Sequence, residues 1–579
     1  MAYAALSSLA QTIHRILNHD QFLISHNEEQ QITLLREKVI FLREALDKFP
    51  MQASSLEARI RASANEAEDM IEHFMYDQIW NHHYSTTNNP HHLHHDLEKT
   101  MEEINSISRE AADFTTEDSA ALGDDDSPTV RISSSMQQLA GGITVGLDED
   151  LLKIVDSLTG GSSSRQIIPI VGMGGIGKTT LAQKVYHHPS ITETFEIRAW
   201  VTVSQDYKAQ NIYSDLLACF EEVGIERFEQ SSECLEVKVH KILKGRKYLI
   251  VLDDMWSQNA WDDVNIYFPD DGNGSRIVIT TRLVDVASYS SSHFHQMRFM
   301  DQHQSWDLLK KKVFPSKDCP SHLEEIGVEI ARRCGGLPLA IVLVAGMLST
   351  VSETRFSWKQ VAEKVGSAGE LEKIISLSYT NLPHHLRSCF LYMGAFPEDY
   401  EIRASKLIKL WTAEGFVEVE EETIEYLEDL VKRSLVLVKK RKSDGKIKSC
   451  GLHDMVREIC RRRAEEENIQ HRVSMAQPDL ILLARTYGST LRSVICSRLI
   501  SASSLDALQV FKLLRVLDVV DDCNEHPLPA QVFDLFHLRY LAFACLNEIP
   551  AAISRLRNLR TLIICPGKRV TQRMWYIYH

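Results

Sequence analysis

None of the 11 cysteines pairs with another in a CxxC spacing, so a zinc site of the usual ligand spacing is excluded. An odd, scattered set in a long chain reads as reduced thiols in a cytosolic setting. Long apolar runs are missing too. The longest, "GLPLAIVLVAGML" (Gly336 to Leu348), is shorter than a membrane span and begins with Gly and Pro. The opening "MAYAALSSLAQTIHRIL" has neither a basic n-region nor a continuous apolar run, so it is not expected to be a signal peptide. Positive charge is also in deficit. The net charge of -15 argues against nucleic acid as the main partner, because phosphate backbones need basic surfaces. What remains is an ordinary composition, 44% hydrophobic and 25% charged. Its 579 residues exceed what one core organises, which predicts three or more domains.

The first part of the chain is helical in pattern. In "ITLLREKVIFLREALDKF" the apolar residues Ile32, Leu35, Val39, Leu42, Leu46 and Phe49 alternate spacings of three and four, a heptad seam. A second run places Leu56, Ile60, Ala67, Ile71 and Phe74 on one face. Two such helices with a short connection predict a bundle over residues 1–112. A free-standing coiled-coil dimer fits less well, because the seam is short and Pro50 breaks it. Residues 113–143, with the acidic cluster Asp124 to Asp126 and few large apolar residues, read as a solvated linker.

From about residue 144 to 295 the pattern alternates strands and helices. "RQIIPIV", "IRAWVTVS", "KYLIVLDD" and "SRIVITTR" are strand-like runs separated by helical lengths, the signature of a buried parallel sheet. Helical patterns resume after Ser305. Near the end, "LRVLDV", "LRYLAF" and "LRTLII" start at Leu514, Leu538 and Leu559. Spacings of 24 and 21 (538 less 514, 559 less 538) lie within the leucine-rich-repeat period.

The chemistry sits in "GMGGIGKT". It fits GxxxxGK[ST] with Gly172, Gly177, Lys178 and Thr179, follows a strand and opens a helix, which is the context the motif requires. Its glycines, Gly174 and Gly175 among them, let backbone N–H groups converge on phosphate oxygens at a helix N-terminus, with Thr180 next in that helix. Lys178 is expected to reach the β- and γ-phosphates, and Thr179 to ligate Mg²⁺. Asp253 and Asp254 end a strand-like run; Asp253 is expected to hold the Mg²⁺ shell, the bland alternative being a cap after the strand. Hydrolysis also needs a group that orients water. After Asp254 come Met255 and Trp256, with no Glu. Asp254 has the shorter arm, so the site reads as better equipped to hold nucleotide than to turn it over, at most a slow ATPase.

Several stretches then match one family in order. "EDMIE" (Glu68 to Glu72), "VGMGGIGKTTLA", "AWVTVSQ", "YLIVLDDMW", "GSRIVITTR", "GGLPLA", "YLEDL" and "LHDM" resemble the plant intracellular immune receptors that carry a coiled coil, an NB-ARC nucleotide switch and leucine-rich repeats. The resemblance implies a multidomain fold: an N-terminal helical bundle (1–112), an α/β P-loop NTPase domain with a parallel sheet (144–295), a helical ARC1 domain (296–375), a winged-helix ARC2 domain (376–470) and a short leucine-rich-repeat solenoid (471–579).

It also implies roles for matching residues. Val145 would line the adenine pocket, Pro338 would pack against the adenine, and Arg282 would sense the phosphate end. His453 would reach the β-phosphate of ADP, with Asp454 holding its segment. Each has a plainer alternative: Pro338 as a helix start, Asp454 as the N-cap of "MVREICRRR", His453 as an ordinary polar residue. The implied mechanism is a cytoplasmic switch, closed with ADP and opened with ATP after a pathogen effector or a guarded host protein is perceived. The protomers then self-assemble, their first helices act at the plasma membrane, and localised cell death follows. A hydrogen bond to a charged group is worth about 1.5–3 kcal/mol, whereas moving a population from 1:99 to 99:1 takes about 5.5 kcal/mol. His453 alone therefore cannot set the switch, and domain interfaces must supply the rest.

Leu6, Leu9, Ile13 and Ile16 give an amphipathic first helix that partly resembles the family's membrane-acting start, departing from it at Tyr3; a helix packed in the bundle is an equal reading. Leu452 stands where the family has Met, a volume-conserving swap. The repeats are few for the family, which implies a truncated form or signalling with a sensing partner. Two functions of other classes stay open: an AAA+-like ATPase, and a regulator or decoy of a full-length receptor. The histidine-rich "NHHYSTTNNPHHLHHDLEK" (Asn81 to Lys99) places His91 and His95 on one helix face, but no carboxylate or thiol is fixed beside them, so no metal is expected there.

Overall fold

The computed structural model describes the chain apart from residues 20, 49–53, 85–92, 120–142, 204–206, 223–233, 369, 468–472, 476–489, 496–509, 520–529, 546–550, 567–574 and 578–579. Most of the linker and His91 lie outside the described residues. The chain divides into two compact units, Leu139–Ser378 on one hand and Met1–Gln138 with Tyr379–His579 on the other.

The second of these begins with four helices, α1 (Ala2–Asn18), α2 (His26–Lys48), α3 (Ser54–Tyr84) and α4 (Leu93–Ser119). The sequence seam is their core: Ile32, Leu35, Val39, Leu42 and Leu46 of α2 meet Leu56, Ile60, Ala67, Ile71 and Phe74 of α3 in one buried cluster. Leu6, Leu9, Ile13 and Ile16 of α1 are buried in the same cluster, so the amphipathic stripe faces the bundle. Of the four helices only α4 was not expected, and it continues to Ser119, into the stretch read as linker.

After Tyr379 this unit holds a small antiparallel sheet in the order β6-β8-β7 (β6 Ile402–Arg403, β7 Leu437–Arg441, β8 Ile447–Gly451). Helix Ala404–Glu414 packs against it, and helices Glu420–Lys432 and Asp454–Glu466 lie in the same stretch of chain. A six-stranded sheet follows, β9 (Val473–Met475), β10 (Ser493–Ile495), β11 (Val516–Val519), β12 (Tyr540–Cys545), β13 (Thr561–Pro566) and β14 (Trp575–Ile577). β9 to β13 are parallel, and β14 pairs antiparallel to β13. The leucines of each LxxL signature fill the core behind the sheet, among them Leu491, Leu514, Leu517, Leu538, Leu541 and Leu562. "LRSVI" at Leu491 is a further such turn, hidden in the sequence because Val replaces the second Leu. The tail lacks the polar look of an end cap, and within it Trp575–Ile577 forms an edge strand paired to β13.

The first unit is a five-stranded parallel sheet in the order β2-β3-β4-β1-β5 (β1 Gln166–Val171, β2 Ile197–Thr202, β3 Tyr248–Met255, β4 Arg276–Thr281, β5 His295–Gln296). All residues of β3 and β4 are buried, as runs apolar on both faces demand when helices cover both sides. Helices α5 (Asp148–Thr159) and α6 (Lys178–Tyr186) flank the sheet. A helical extension follows: Gln302–Val313, Ser321–Arg333, Pro338–Leu348 and Arg355–Ala368. The first of these opens on a capping box between Asp301 and Gln304, which satisfies two of the free N–H groups at its start.

Candidate nucleotide site and the buried carboxylate clamp

β1 delivers the chain to the loop 172–177, and α6 carries it away. Gly175 and Gly177 adopt φ of +79° and +104°, a region open to glycine at little cost. Close approach also restricts Gly172 and Gly175. A Cβ on Gly175 would come within 2.7 Å of the Leu339 Cβ, and one on Gly172 within 2.9 Å of the Met297 Cβ. Lys178 is 6% exposed, and its Nζ donates to the carbonyls of Gly172 (2.7 Å) and Met173 (3.1 Å). The lysine is thereby folded back under the loop, its charge held beside the α6 N-terminus, where the backbone N–H groups favour an anion.

The far wall is the end of β3. Its pairing with β4 shifts register between Leu252 and Met255, a bulge that re-aims the side chains of Asp253 and Asp254. Thr179 donates from Oγ1 to Asp253 Oδ1 at 3.2 Å, and Thr280 donates to the same oxygen. Hydroxyl and carboxylate oxygens thus converge from α6 and β3, a hard-oxygen donor pair of the kind Mg²⁺ takes. Asp254 sits at φ +56°, a left-handed conformation uncommon outside Gly, Asn and Asp that clusters at functional sites. Its N–H donates to Thr280 Oγ1 at 2.8 Å, and its carboxylate is 3.2 Å from Arg282 Nη2.

The helix Pro338–Leu348 starts against this loop: Leu339 N–H donates to the Gly175 carbonyl at 3.2 Å. Pro338 is therefore a helix start and a neighbour of the phosphate loop at once. Val145 lies half-buried ahead of α5, where the adjoining Gly146 approaches the Gln304 side chain. Gly174 and Thr180 are half-buried in the loop and first turn. His453 belongs to the other unit. It caps the helix Asp454–Glu466, with Nδ1 accepting from the Met455 N–H at 3.3 Å. This corrects the expectation for Asp454: the cap is His453, and Asp454 is the first helical residue, where a carboxylate favours the helix N-terminus.

A second constellation lies wholly within the larger unit. Glu68 and Glu72 on α3 are fully buried, and their partners come from α1 and from residues just ahead of successive strands of the parallel ladder. Arg515 lies 2.7 Å from Glu68 and 2.9 Å from Glu72. Arg492 pairs with Glu72 and Asp69, Arg15 reaches Glu72 at 2.9 Å, and Ser8 donates to Glu68 at 2.6 Å. His537 Nε2 meets the Glu72 carbonyl at 2.9 Å. Burial would raise the Glu72 carboxyl, but Arg492, Arg515, His537 and Arg15 outweigh it and hold it well below the usual carboxylate range. The arginines stand in a column because the ladder stacks them: Arg515 N–H donates to the Arg492 carbonyl at 2.7 Å, and Arg539 N–H to the Arg515 carbonyl at 2.8 Å.

Residues 147–319 match the NB-ARC domain, and residues 395–460 match the disease resistance protein winged helix domain. The chain belongs to the NB-ARC disease resistance proteins. It is 37% identical over 464 residues to the late blight resistance protein homologue R1B-16 of Solanum demissum, covering 74% of this chain and 36% of that one. It is 39% identical over 460 residues to homologue R1B-14 of the same plant, covering 72% and 34%. The chain thus spans about a third of the length of these relatives. A signal transduction ATPase with a tetratricopeptide repeat sensor from Pyrococcus horikoshii aligns over 64% of this chain and 48% of its own, at 16% identity and a TM-score of 0.38. Among the described residues no helix is long and apolar enough to cross a membrane.

The carboxylates were legible in "EDMIE"; their partners were not. The signal was present in the Arg that follows the first Leu of each ladder turn, Arg492, Arg515, Arg539 and Arg560, a column hidden by attention to the leucines. His537 gives the clamp a pH dependence. Burial pushes its imidazole down from 6.5 to about 3, so between those values the unfolded chain binds a proton that the folded one refuses. Stability is then full above about pH 6.5 and falls on acidification, by ~1.4 kcal/mol per pH unit for this one group. Denaturant unfolding of the full chain at pH 7, 6 and 5 is expected to show that loss, and His537→Gln is expected to flatten it by about that slope. An unchanged slope in the variant would exclude His537 as the source.

Proposed function

We propose that this chain is a nucleotide-gated switch of plant innate immunity, resting with ADP and active with ATP. The observation that carries the reading is the convergence of Lys178 beneath a glycine loop with the Thr179–Asp253 oxygens at one helix N-terminus. In this reading the backbone of Gly172, Gly174, Gly175 and Gly177 holds the phosphates, Lys178 neutralises them, and Thr180 adds a donor. Thr179 and Asp253 hold Mg²⁺. Val145 and Pro338 frame the base, and Arg282 answers to the terminal phosphate. His453 joins the winged-helix domain to the diphosphate, a closure around a ligand that releases when the ligand changes. Mg²⁺ held there would supply charge neutralisation to the phosphates. Asp254, without a Glu, leaves water poorly oriented, so turnover is slow.

The buried clamp fits the quiet state. α1, whose apolar stripe the bundle covers, is withheld while α3 stays tied to the ladder. Perception of an effector or a guarded host protein frees it, protomers assemble, and α1 reaches the plasma membrane, leading to localised cell death. A ligand shifts such an equilibrium only by its differential affinity for the two states, so ADP and the clamp together favour the closed form.

The test is the identity of the nucleotide released when the purified full chain is denatured. Near-stoichiometric ADP and slow hydrolysis are expected. An empty site, or brisk ATP turnover without assembly, overturns the reading and favours the AAA+-like alternative. Bound ADP without cell death on expression in leaf tissue favours a regulator or decoy.

A further inference from the structure

We propose that Trp256 is a positioning residue that sets the preference of the site between di- and triphosphate, by holding Arg282 on Asp254 and away from a terminal phosphate. The inference rests on the nucleotide-switch reading and deepens it. Trp256 follows the bulged end of β3, two residues after the left-handed Asp254. Arg282 follows the end of the neighbouring β4. The guanidinium lies over the indole face, 4.6 Å from the ring centroid, with Nη2 3.2 Å from the Asp254 carboxylate. Arg282 and Asp254 are only 19% and 10% exposed in their side chains, so water competes weakly for either charge. One wall of this seat is an anion and the other an aromatic face, the two groups that a guanidinium prefers.

The indole edge points to the face as the working part. Trp256 Nε1 is buried without a hydrogen-bond partner among the described residues. Burying an unpaired donor is unfavourable, so a hydrogen bond does not account for the ring at this position, whereas the stacked guanidinium does. Phe would keep that face and lose only the unused N–H.

The seat acts on nucleotide choice by competition. Arg282 gives ATP an advantage over ADP only if the γ-phosphate draws it off Asp254. The cost of leaving the seat is subtracted from that advantage, so a firmer seat means a stronger relative preference for ADP. Loosening it through the ring changes the ratio of the two affinities without touching a group that contacts nucleotide.

Equilibrium binding of ADP and of ATP, each with Mg²⁺, to the full chain tests this. Trp256→Ala is expected to move the affinity ratio towards ATP by about fivefold, ~1 kcal/mol at 1.4 kcal/mol per decade. Trp256→Phe is expected to stay within about twofold of the parent. In an Arg282→Ala background the Trp256→Ala substitution is expected to leave the ratio unchanged. The proposal is overturned if Trp256→Ala leaves the parent ratio unmoved or moves it towards ADP, if the shift persists without Arg282, or if Phe behaves as Ala does. A parent chain that binds neither nucleotide sinks the switch reading itself. Should Trp256→Ala fail to fold, Trp256→Leu, which fills the space without a π face, takes its place with the same expected ratio.

Discussion

Lys178→Ala is expected to empty the site. The side chain is buried and its ammonium is already committed to two loop carbonyls, so the residue both shapes the loop and brings the charge. A hydrogen bond to a charged group is worth about 1.5–3 kcal/mol, and the phosphates would lose more than one such contact. A loss of at least about a hundredfold in affinity follows. Protein that carries near-stoichiometric nucleotide as the parent would then emerge with almost none. Lys178→Arg is not a rescue, because a planar fork does not occupy the place of a compact ammonium folded under the loop. Quantifying nucleotide after denaturation, with circular dichroism to show that the fold persists, decides the matter. Retention of parental nucleotide by well-folded Lys178→Ala would remove the phosphate role from this loop.

How much of this was readable in advance depends on how local each cause is. The loop was legible because its geometry is written in consecutive residues: glycines where φ is positive, Lys and Thr at the helix start. The parallel sheet was legible because β3 and β4 are buried on both faces and so are apolar throughout. The heptad seams of α2 and α3 were legible for the same reason, since periodicity records burial. α4 was not read as a helix, since its stretch begins among histidines and ends among acidic residues, where no seam was followed. The cap on Asp454–Glu466 was misassigned because His and Asp adjoin, and either can accept from the first free N–H groups. Asp254's left-handed backbone and the seat it makes with Trp256 are tertiary: they arise from a register shift between β3 and β4 that no local pattern encodes. The arginine column was periodic in sequence, but its meaning depended on three carboxylates more than four hundred residues earlier (Asp69 to Arg492).

The other large effect is expected at those carboxylates. Glu72 is fully buried and answers Arg15, Arg492 and Arg515 together. Replacing it by Ala leaves those guanidiniums buried with less opposing charge, and breaking a buried pair from one side costs about 3–5 kcal/mol. Arg539 already feels this pressure: burial first, and Arg515 and Arg15 next, push its guanidinium well below its ordinary value. Glu68 and Asp69 cannot make up the deficit, since each is already engaged, Glu68 by Ser8 and Arg515, Asp69 by Arg492. The cheapest relief is separation of α3 from the ladder so that the arginines reach water, rather than collapse of the leucine core behind them, which Glu72 does not touch. Glu72→Ala is therefore expected to raise hydrogen exchange along α1 and α3 by two orders of magnitude or more while β11 and β12 keep their protection, a free-energy cost of about 3 kcal/mol read locally. In leaf tissue the same variant is expected to signal without a pathogen. Glu72→Gln, which keeps the volume and a hydrogen-bond acceptor but not the charge, should fall between the two. If exchange rises equally in the ladder and the bundle, the substitution has unfolded the unit and the carboxylate is merely structural. If α1 and α3 stay protected, the clamp does not hold the bundle.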